Sequence, residues 1–358
     1  MYLSANTLKN LLLKKENLTH TVAGMILAAL AIALFMTTPT NGDFWWYDSS
    51  RHAMNGVFIL DFFREGGIFH PINFALSYYH QHPAINVGFY PFFFYLSSAP
   101  FLALFGTSHA ASQAVVTIYT FVAGIFAYLI ARRTMNDFTA TAAAVAMLCL
   151  PAMALWSRQV QIDVPAITLL LSTAWCLLHY FDGGSNRYLF ATTICLGLAI
   201  LTRVQSIYAV PPVLCFLYIY RRKTGLSLRV CLIALLPLIL LTLPSVAMVL
   251  YFSRINQVMV TSMPGMPKLI SMDNWIWYAR QLPDQLGWPM LVFIILGFIA
   301  AIVLATRRKM PVTGVITFSF CASSWIFFSL ISDKAPRFNL ASLPFLFLLA
   351  VISTAISS

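Results

Sequence analysis

Apolar runs of roughly twenty residues recur along this chain, separated by short polar segments. A run of about that length crosses the ~30 Å hydrocarbon core of a bilayer as a helix. In lipid, a helix satisfies all of its backbone polar groups internally. The chain is 60% hydrophobic and only 9% charged, where a soluble domain carries about 25% charged residues. It reads as an all-α, multi-pass membrane protein.

The pattern predicts ten spans, at about 20–38, 110–131, 138–156, 164–181, 188–201, a sixth run ending at Tyr220, 228–252, 286–305, 312–331 and 338–356. Two longer external segments interrupt them, 39–109 and 253–285. The first opens with an interfacial helix that stops at Gly66-Gly67. A loop carrying His70, His80 and His82 follows, then a second interfacial apolar helix that ends near Phe105-Gly106. The second segment is expected to be a loop rich in Met, Pro and Trp. No internal repeat and no soluble domain stands out, so residues 1–358 read as one membrane module.

The net charge of +11 has a topological explanation. Lys9, Lys14, Lys15, Arg132, Arg133, Arg187, Arg221, Arg222, Lys223, Arg229, Arg307, Arg308 and Lys309 fall on one side of the ten-span layout. Only Glu16, Asp137 and Asp182 join them. The other side holds the remaining nine basic residues and eight acids. Cytoplasmic loops carry the excess of Lys and Arg. Both termini are therefore expected in the cytoplasm, in a cell (inner or cytoplasmic) membrane, and nucleic acid is not needed to explain the charge. The six cysteines lie in or at the ends of apolar runs without CxxC spacing, so neither a disulfide framework nor a zinc site is indicated. The first span lacks a small-residue cleavage site and reads as a retained anchor.

The candidate chemistry is on the external side. Phe44-Trp45-Trp46-Tyr47 suits a membrane–water interface. Asp48, Arg51, His52 and Asn55 then fall at i, i+3, i+4 and i+7, one face of a helix. The same spacing fits a solvated surface helix without chemistry. Asp163 and Arg203 sit at the edges of apolar spans, where ionisable groups are costly unless paired or facing a polar cavity. With Arg158, Arg254, Lys268, Arg280, Lys334 and Arg337 they outline a polar cavity near the outer leaflet. Arginine matches phosphate oxygens with two parallel hydrogen bonds, and a nearby acid can take a proton from an attacking hydroxyl. His80-x-His82 is a weak metal pattern; no cofactor is assigned, and a divalent metal is the minor reading.

Several of these residues fit a known pattern. Tyr47-Asp48-Ser49-Ser50-Arg51-His52-Ala53 resembles the acidic stretch in the first external loop of GT-C membrane glycosyltransferases. It is most similar to the protein O-mannosyltransferases and lipid A aminoarabinose transferases (glycosyltransferase family 39 and relatives). Tyr90-Pro91-Phe92-Phe93-Phe94-Tyr95-Leu96 resembles that family's Pro-Pro-Leu-x-Tyr segment, with Phe92 in place of the second Pro. Ser157-Arg158 with Asp163-Val164-Pro165 resembles its Arg-x(4)-Asp-x-Pro, and Thr202-Arg203 its Thr-Lys/Arg. Lys334-Ala335-Pro336-Arg337-Phe338, followed by Pro344, resembles its Lys-x-x-Arg-Tyr…Pro stretch. The motifs occur in the family's order over most of the chain.

The resemblance implies a GT-C-type fold and an inverting transfer of sugar from a polyprenyl-phosphate donor to a lipid, glycan or protein acceptor at the outer face. Asp48 would be the general base, and Asp163 the second acidic position. Arg51, Arg158, Arg203, Lys334 and Arg337 would bind the donor phosphate, with His52, His82 and Tyr90 lining the acceptor or sugar. Ser49 departs from the Glu that many members have there. The chain also stops after the tenth span, where many members continue. The alternative is a transporter or flippase of a lipid-linked or amphiphilic substrate, although transporters tend to place their ionisable residues near the bilayer midplane in repeated halves. A non-catalytic assembly subunit is a third reading.

Overall fold

The structure is a computed structural model that describes residues 5–85 and 88–357, with side chains from residue 18 onward. The side chains of Lys9, Lys14, Lys15 and Glu16, used above for orientation, lie outside the described residues. Among the described residues there are sixteen α-helices and no strand. In chain order they are α1 (Ala5–Met36), α2 (Tyr47–Arg64), α3 (Pro71–Gln81), α4 (Phe93–Phe105), α5 (His109–Ala131), α6 (Asp137–Leu148), α7 (Pro151–Trp156) and α8 (Asp163–Gly183). Then come α9 (Asn186–Thr202), α10 (Val210–Thr224), α11 (Leu228–Tyr251), α12 (Ser253–Thr261), α13 (Met272–Leu286), α14 (Trp288–Thr306), α15 (Val312–Ser329) and α16 (Ser342–Ser357). A 3-10 turn, Val204–Ala209, joins α9 to α10.

Among the described residues, six helices are long and apolar enough to cross a membrane: α1 from Leu18, α5, α8, α11, α14 and α15. The other four predicted spans fall on shorter helices. The third divides into α6 and α7, because Pro151 has no N–H to donate and forces Leu150 out of the helical region, to φ −52 and ψ 132. The fifth ends at Thr202, where Arg203 is extended at φ −145. The sixth begins only after the 3-10 turn, with proline in the first turn of α10. The tenth begins at Ser342 rather than Phe338, because residues 335–343 are tied in tight turns such as Phe338 N to Ala335 O (3.0 Å) and Leu340 N to Arg337 O (3.1 Å).

Two predicted loops contain helices. The histidine segment forms α3, with Pro71 as its first residue, a position where the missing N–H costs nothing. Residues 253–285 hold α12 and most of α13 rather than a loop.

Helix α8 is the centre of the fold, buried on nearly every side and surrounded by α5, α9 and α10. Helix α16 is buried similarly against α14 and α15. Gly297 permits this: a β-carbon there would lie 2.6 Å from Ala350 Cα. Helix α2 lies along α4, with Gly56 facing Ser98 and Leu102. The outward faces of α1, α11 and α14 expose Ile26, Ile32, Leu236, Leu240, Leu243 and Ile299, as helices surrounded by lipid do. What matters for the site is that the N-terminal end of α8, the C-terminal end of α9, the start of α2 and the turn before α16 converge.

Candidate active site

The polar stripe of α2 faces inward. Asp48, His52 and Asn55 are 2%, 1% and 0% exposed, so the solvated surface helix is not what forms. Buried polar groups of this kind are costly unless they find partners. Asp48 accepts a hydrogen bond through Oδ2 from Arg337 Nη2, and Arg51 Nη1 stands 3.5 Å from its Oδ1. Arg51 is partly exposed, at the mouth of the site. The guanidinium of Arg337 is enclosed by the rings of Trp46, Trp156 and Phe338, at 5.5, 6.0 and 5.7 Å. Its Nη1 donates to Gln161 Oε1 at 2.8 Å, and Gln161 Nε2 donates to Ser49 Oγ at 2.9 Å.

His52 Nδ1 lies 2.8 Å from Tyr95 Oη, and the Tyr90 ring meets the imidazole edge-on at 4.9 Å. Burial, reinforced by Arg337, pushes the His52 pKa down to about 3, so the imidazole is neutral at physiological pH. Burial and the Asp48 carboxylate push Tyr90 up to about 12, which keeps its hydroxyl protonated. Two neutral, polar, aromatic groups therefore stand beside the charged pair.

A second pair completes the site. Asp163, in the first turn of α8, is 3.1 Å from Arg203 Nη1. Arg203 also donates through Nη2 to Phe338 O at 3.0 Å and lies over Phe328 at 5.3 Å. Lys334 Nζ donates to Phe328 O at 2.7 Å and lies 5.0 Å from the Tyr278 ring centroid. Lys334 is only 4% exposed, and among the described residues it forms no ion pair with a carboxylate. Burial pushes its pKa down to about 8, while the neighbouring Asp333 pulls it up. The turn that carries Lys334 and Arg337 is fixed at both ends. Ser332 N and Asp333 N donate to Val260 O and Met259 O on α12 (2.9 and 2.8 Å), and Gln285 Nε2 donates to Pro336 O at 2.7 Å. Two buried cations, Arg337 and Arg203, thus meet two buried carboxylates, Asp48 and Asp163, and a third, Lys334, lies on the same turn as Arg337.

Arg254 and Arg280, predicted to outline the cavity, are exposed, and Arg280 pairs with Asp273 instead. Of the residues expected to act on the base, donor or sugar, Asp48, Arg51, His52, Tyr90, Asp163, Arg203, Lys334 and Arg337 come together. Two do not. Arg158 turns to the rim, where its Nε donates to Ala154 O at 3.1 Å and its guanidinium lies 5.1 Å from the Trp45 ring centroid. His82 caps α3 and packs on Tyr78 at 4.8 Å, beside a separate small core of Phe58, Tyr78 and Ile85. Among the described residues no three of His, Cys, Asp and Glu gather so as to hold a metal ion. Gln161 and Tyr95, not among the expected site residues, also belong to the site, as does Ser49. The signal for Gln161 was there: Gln159 and Gln161 are amides at the edge of an apolar span, where water is scarce.

Residues 81–252 match the family described as dolichyl-phosphate-mannose-protein mannosyltransferase. The fold is similar to the crystal structure of ArnT from Cupriavidus metallidurans bound to undecaprenyl phosphate, with a TM-score of 0.64 at 14% identity over 92% of this chain and 59% of that one. The apo state of the same protein gives 0.63 at 15% identity, with the same coverage. The archaeal oligosaccharyltransferase AglB from Archaeoglobus fulgidus, in complex with an inhibitory peptide and a dolichol-phosphate, gives 0.50 at 12% identity over 94% of this chain and 50% of that one. A search of curated proteins found no match. The chain has the all-α GT-C fold of membrane glycosyltransferases, and it spans 59% of the length of ArnT.

Proposed function

We propose that this GT-C-fold membrane protein transfers a sugar from a polyprenyl-phosphate donor to a lipid, glycan or protein acceptor at the external face of the membrane, with inversion at the anomeric carbon. The observation that carries this reading is Lys334, a buried ammonium that forms no ion pair among the described residues, on the turn that also carries Arg337. A buried charge needs a partner, and the anion that suits this membrane site is a lipid phosphate. The family match and the lipid-phosphate complexes of the two similar structures support the same donor class.

In the proposed reaction an acceptor hydroxyl attacks the anomeric carbon while its proton passes to the Asp48 carboxylate. The bond from that carbon to the phosphate oxygen breaks, and the polyprenyl phosphate leaves as an anion. Lys334, Arg203 and Arg337 stabilise the charge that grows on the leaving phosphate, and fixed charges in a dry site do this without reorganising. Asp163 holds Arg203 in its seat. Arg51 guides the anionic donor at the mouth, and neutral His52 with protonated Tyr90 offers the sugar hydrogen-bonding groups without competing for charge.

The test uses the full-length protein in nanodiscs with a polyprenyl-phosphate sugar and extracts of envelope lipid and protein. The expected result is release of free polyprenyl phosphate together with sugar on an acceptor. Movement of the intact donor across a liposome bilayer, without release, would replace this reading with the flippase. Mass spectrometry of envelope glycolipids and glycoproteins with and without the gene then identifies the sugar and the acceptor.

A further inference from the structure

Gln161 lies in the link between α7 and α8, is fully buried, and uses both ends of its amide. Its Oε1 accepts from Arg337 Nη1 at 2.8 Å, and its Nε2 donates to Ser49 Oγ at 2.9 Å. These partners fix the amide orientation, because a guanidinium only donates. Ser49 is itself 1% exposed and follows Asp48 on α2. Arg337 is therefore held at two points of different kind: a neutral amide at Nη1 and a carboxylate at Nη2. Its Nε is buried and makes no hydrogen bond.

We propose that Gln161 is a positioning residue, a neutral pivot that holds Arg337 Nη1 while Nη2 exchanges Asp48 for an oxygen of the donor phosphate. The proposal rests on the glycosyltransferase reading above. In the resting site Asp48 is occupied, with Arg337 on one oxygen and Arg51 near the other. A carboxylate engaged in this way does not face an acceptor hydroxyl. When a phosphate draws Nη2 away, Asp48 Oδ2 is released as the donor arrives, so donor binding and base availability become one event. The pivot must be neutral for this exchange. A carboxylate at position 161 would set a further fixed counter-charge in direct contact with Arg337 and cancel the charge that the phosphate is to meet. Ser49 completes the device, because its hydroxyl anchors the far end of the amide and keeps Oε1 aimed at the guanidinium.

The experiment measures binding of undecaprenyl phosphate and of undecaprenol, its uncharged counterpart, to the full chain in nanodiscs. Gln161→Glu is expected to weaken undecaprenyl phosphate by about tenfold or more and to leave undecaprenol unchanged. Gln161→Met, which removes the pivot without adding charge, is expected to weaken the phosphate about threefold, again with undecaprenol unchanged. Equal weakening of both lipids would mark Gln161 as a structural residue and overturn the proposal. So would phosphate binding by either variant at the wild-type level. A wild-type protein that does not prefer undecaprenyl phosphate to undecaprenol would overturn the donor reading itself, and this inference with it.

Discussion

Replacing Asp48 with asparagine separates three properties that the wild-type residue combines. Asparagine keeps the size and one acceptor oxygen but removes the charge. Asp48 and Arg337 are 2% and 8% exposed, and removing one partner of such a buried ion pair costs about 3–5 kcal/mol. The amide oxygen still accepts a hydrogen bond from the guanidinium, which returns about 1.5 kcal/mol. Donor-free Asp48→Asn should therefore be less stable by about 1.5–3.5 kcal/mol, visible as a lower apparent Tm in detergent. A bound lipid phosphate supplies the missing negative charge. The variant should accordingly bind undecaprenyl phosphate about tenfold more tightly than wild type, which corresponds to about 1.4 kcal/mol of the loss regained. Sugar transfer should nevertheless fall by about 10²–10⁴, the range for loss of a general base. Two results would refute the reasoning. Normal transfer by Asp48→Asn would remove the base assignment. A destabilised variant with unchanged phosphate affinity would show that Arg337 does not meet the phosphate.

Two further outcomes are expected. Burial lowers the Lys334 pKa to about 8, so the ammonium is charged at pH 7 and is lost as pH rises through that value. Undecaprenyl phosphate affinity should be about tenfold lower at pH 9 than at pH 7, and Lys334→Arg should abolish this decline because arginine stays charged. A pH-independent affinity in the wild type would take Lys334 out of the site. In the bundle, Gly297→Ala places a methyl against the backbone of α16 at 2.6 Å and should cost about 1–3 kcal/mol by overpacking. Gly24→Ala meets nothing within 4 Å and should be neutral or slightly stabilising. Equal apparent Tm values for the two variants would contradict the close α14–α16 contact.

The local sequence determined whatever depends on neighbouring residues alone. Apolar run length placed the six long helices, because a lipid-facing helix must satisfy its own backbone. Glycines after Glu65 and at Gly106 marked the ends of α2 and α4. The 3.6-residue spacing put Asp48, His52 and Asn55 on one face, and the motif order joined Asp163, Arg203, Lys334 and Arg337 into one candidate site. Run length did not show that Pro151 divides the third span, since the apolar pattern continues across the break.

Only the tertiary structure decided which face of α2 is buried and which charges meet. Asp48 and Arg337 are separated by 289 positions, and Arg337 and Gln161 by 176; no periodicity encodes contacts at that range. Arg158 and His82 carried the same kinds of signal as the residues that meet, yet they stand at the rim and in a separate small core. A residue type states what chemistry a side chain can do. Packing of distant helices, which removes water from some polar groups and leaves others in it, settles which of them has a partner.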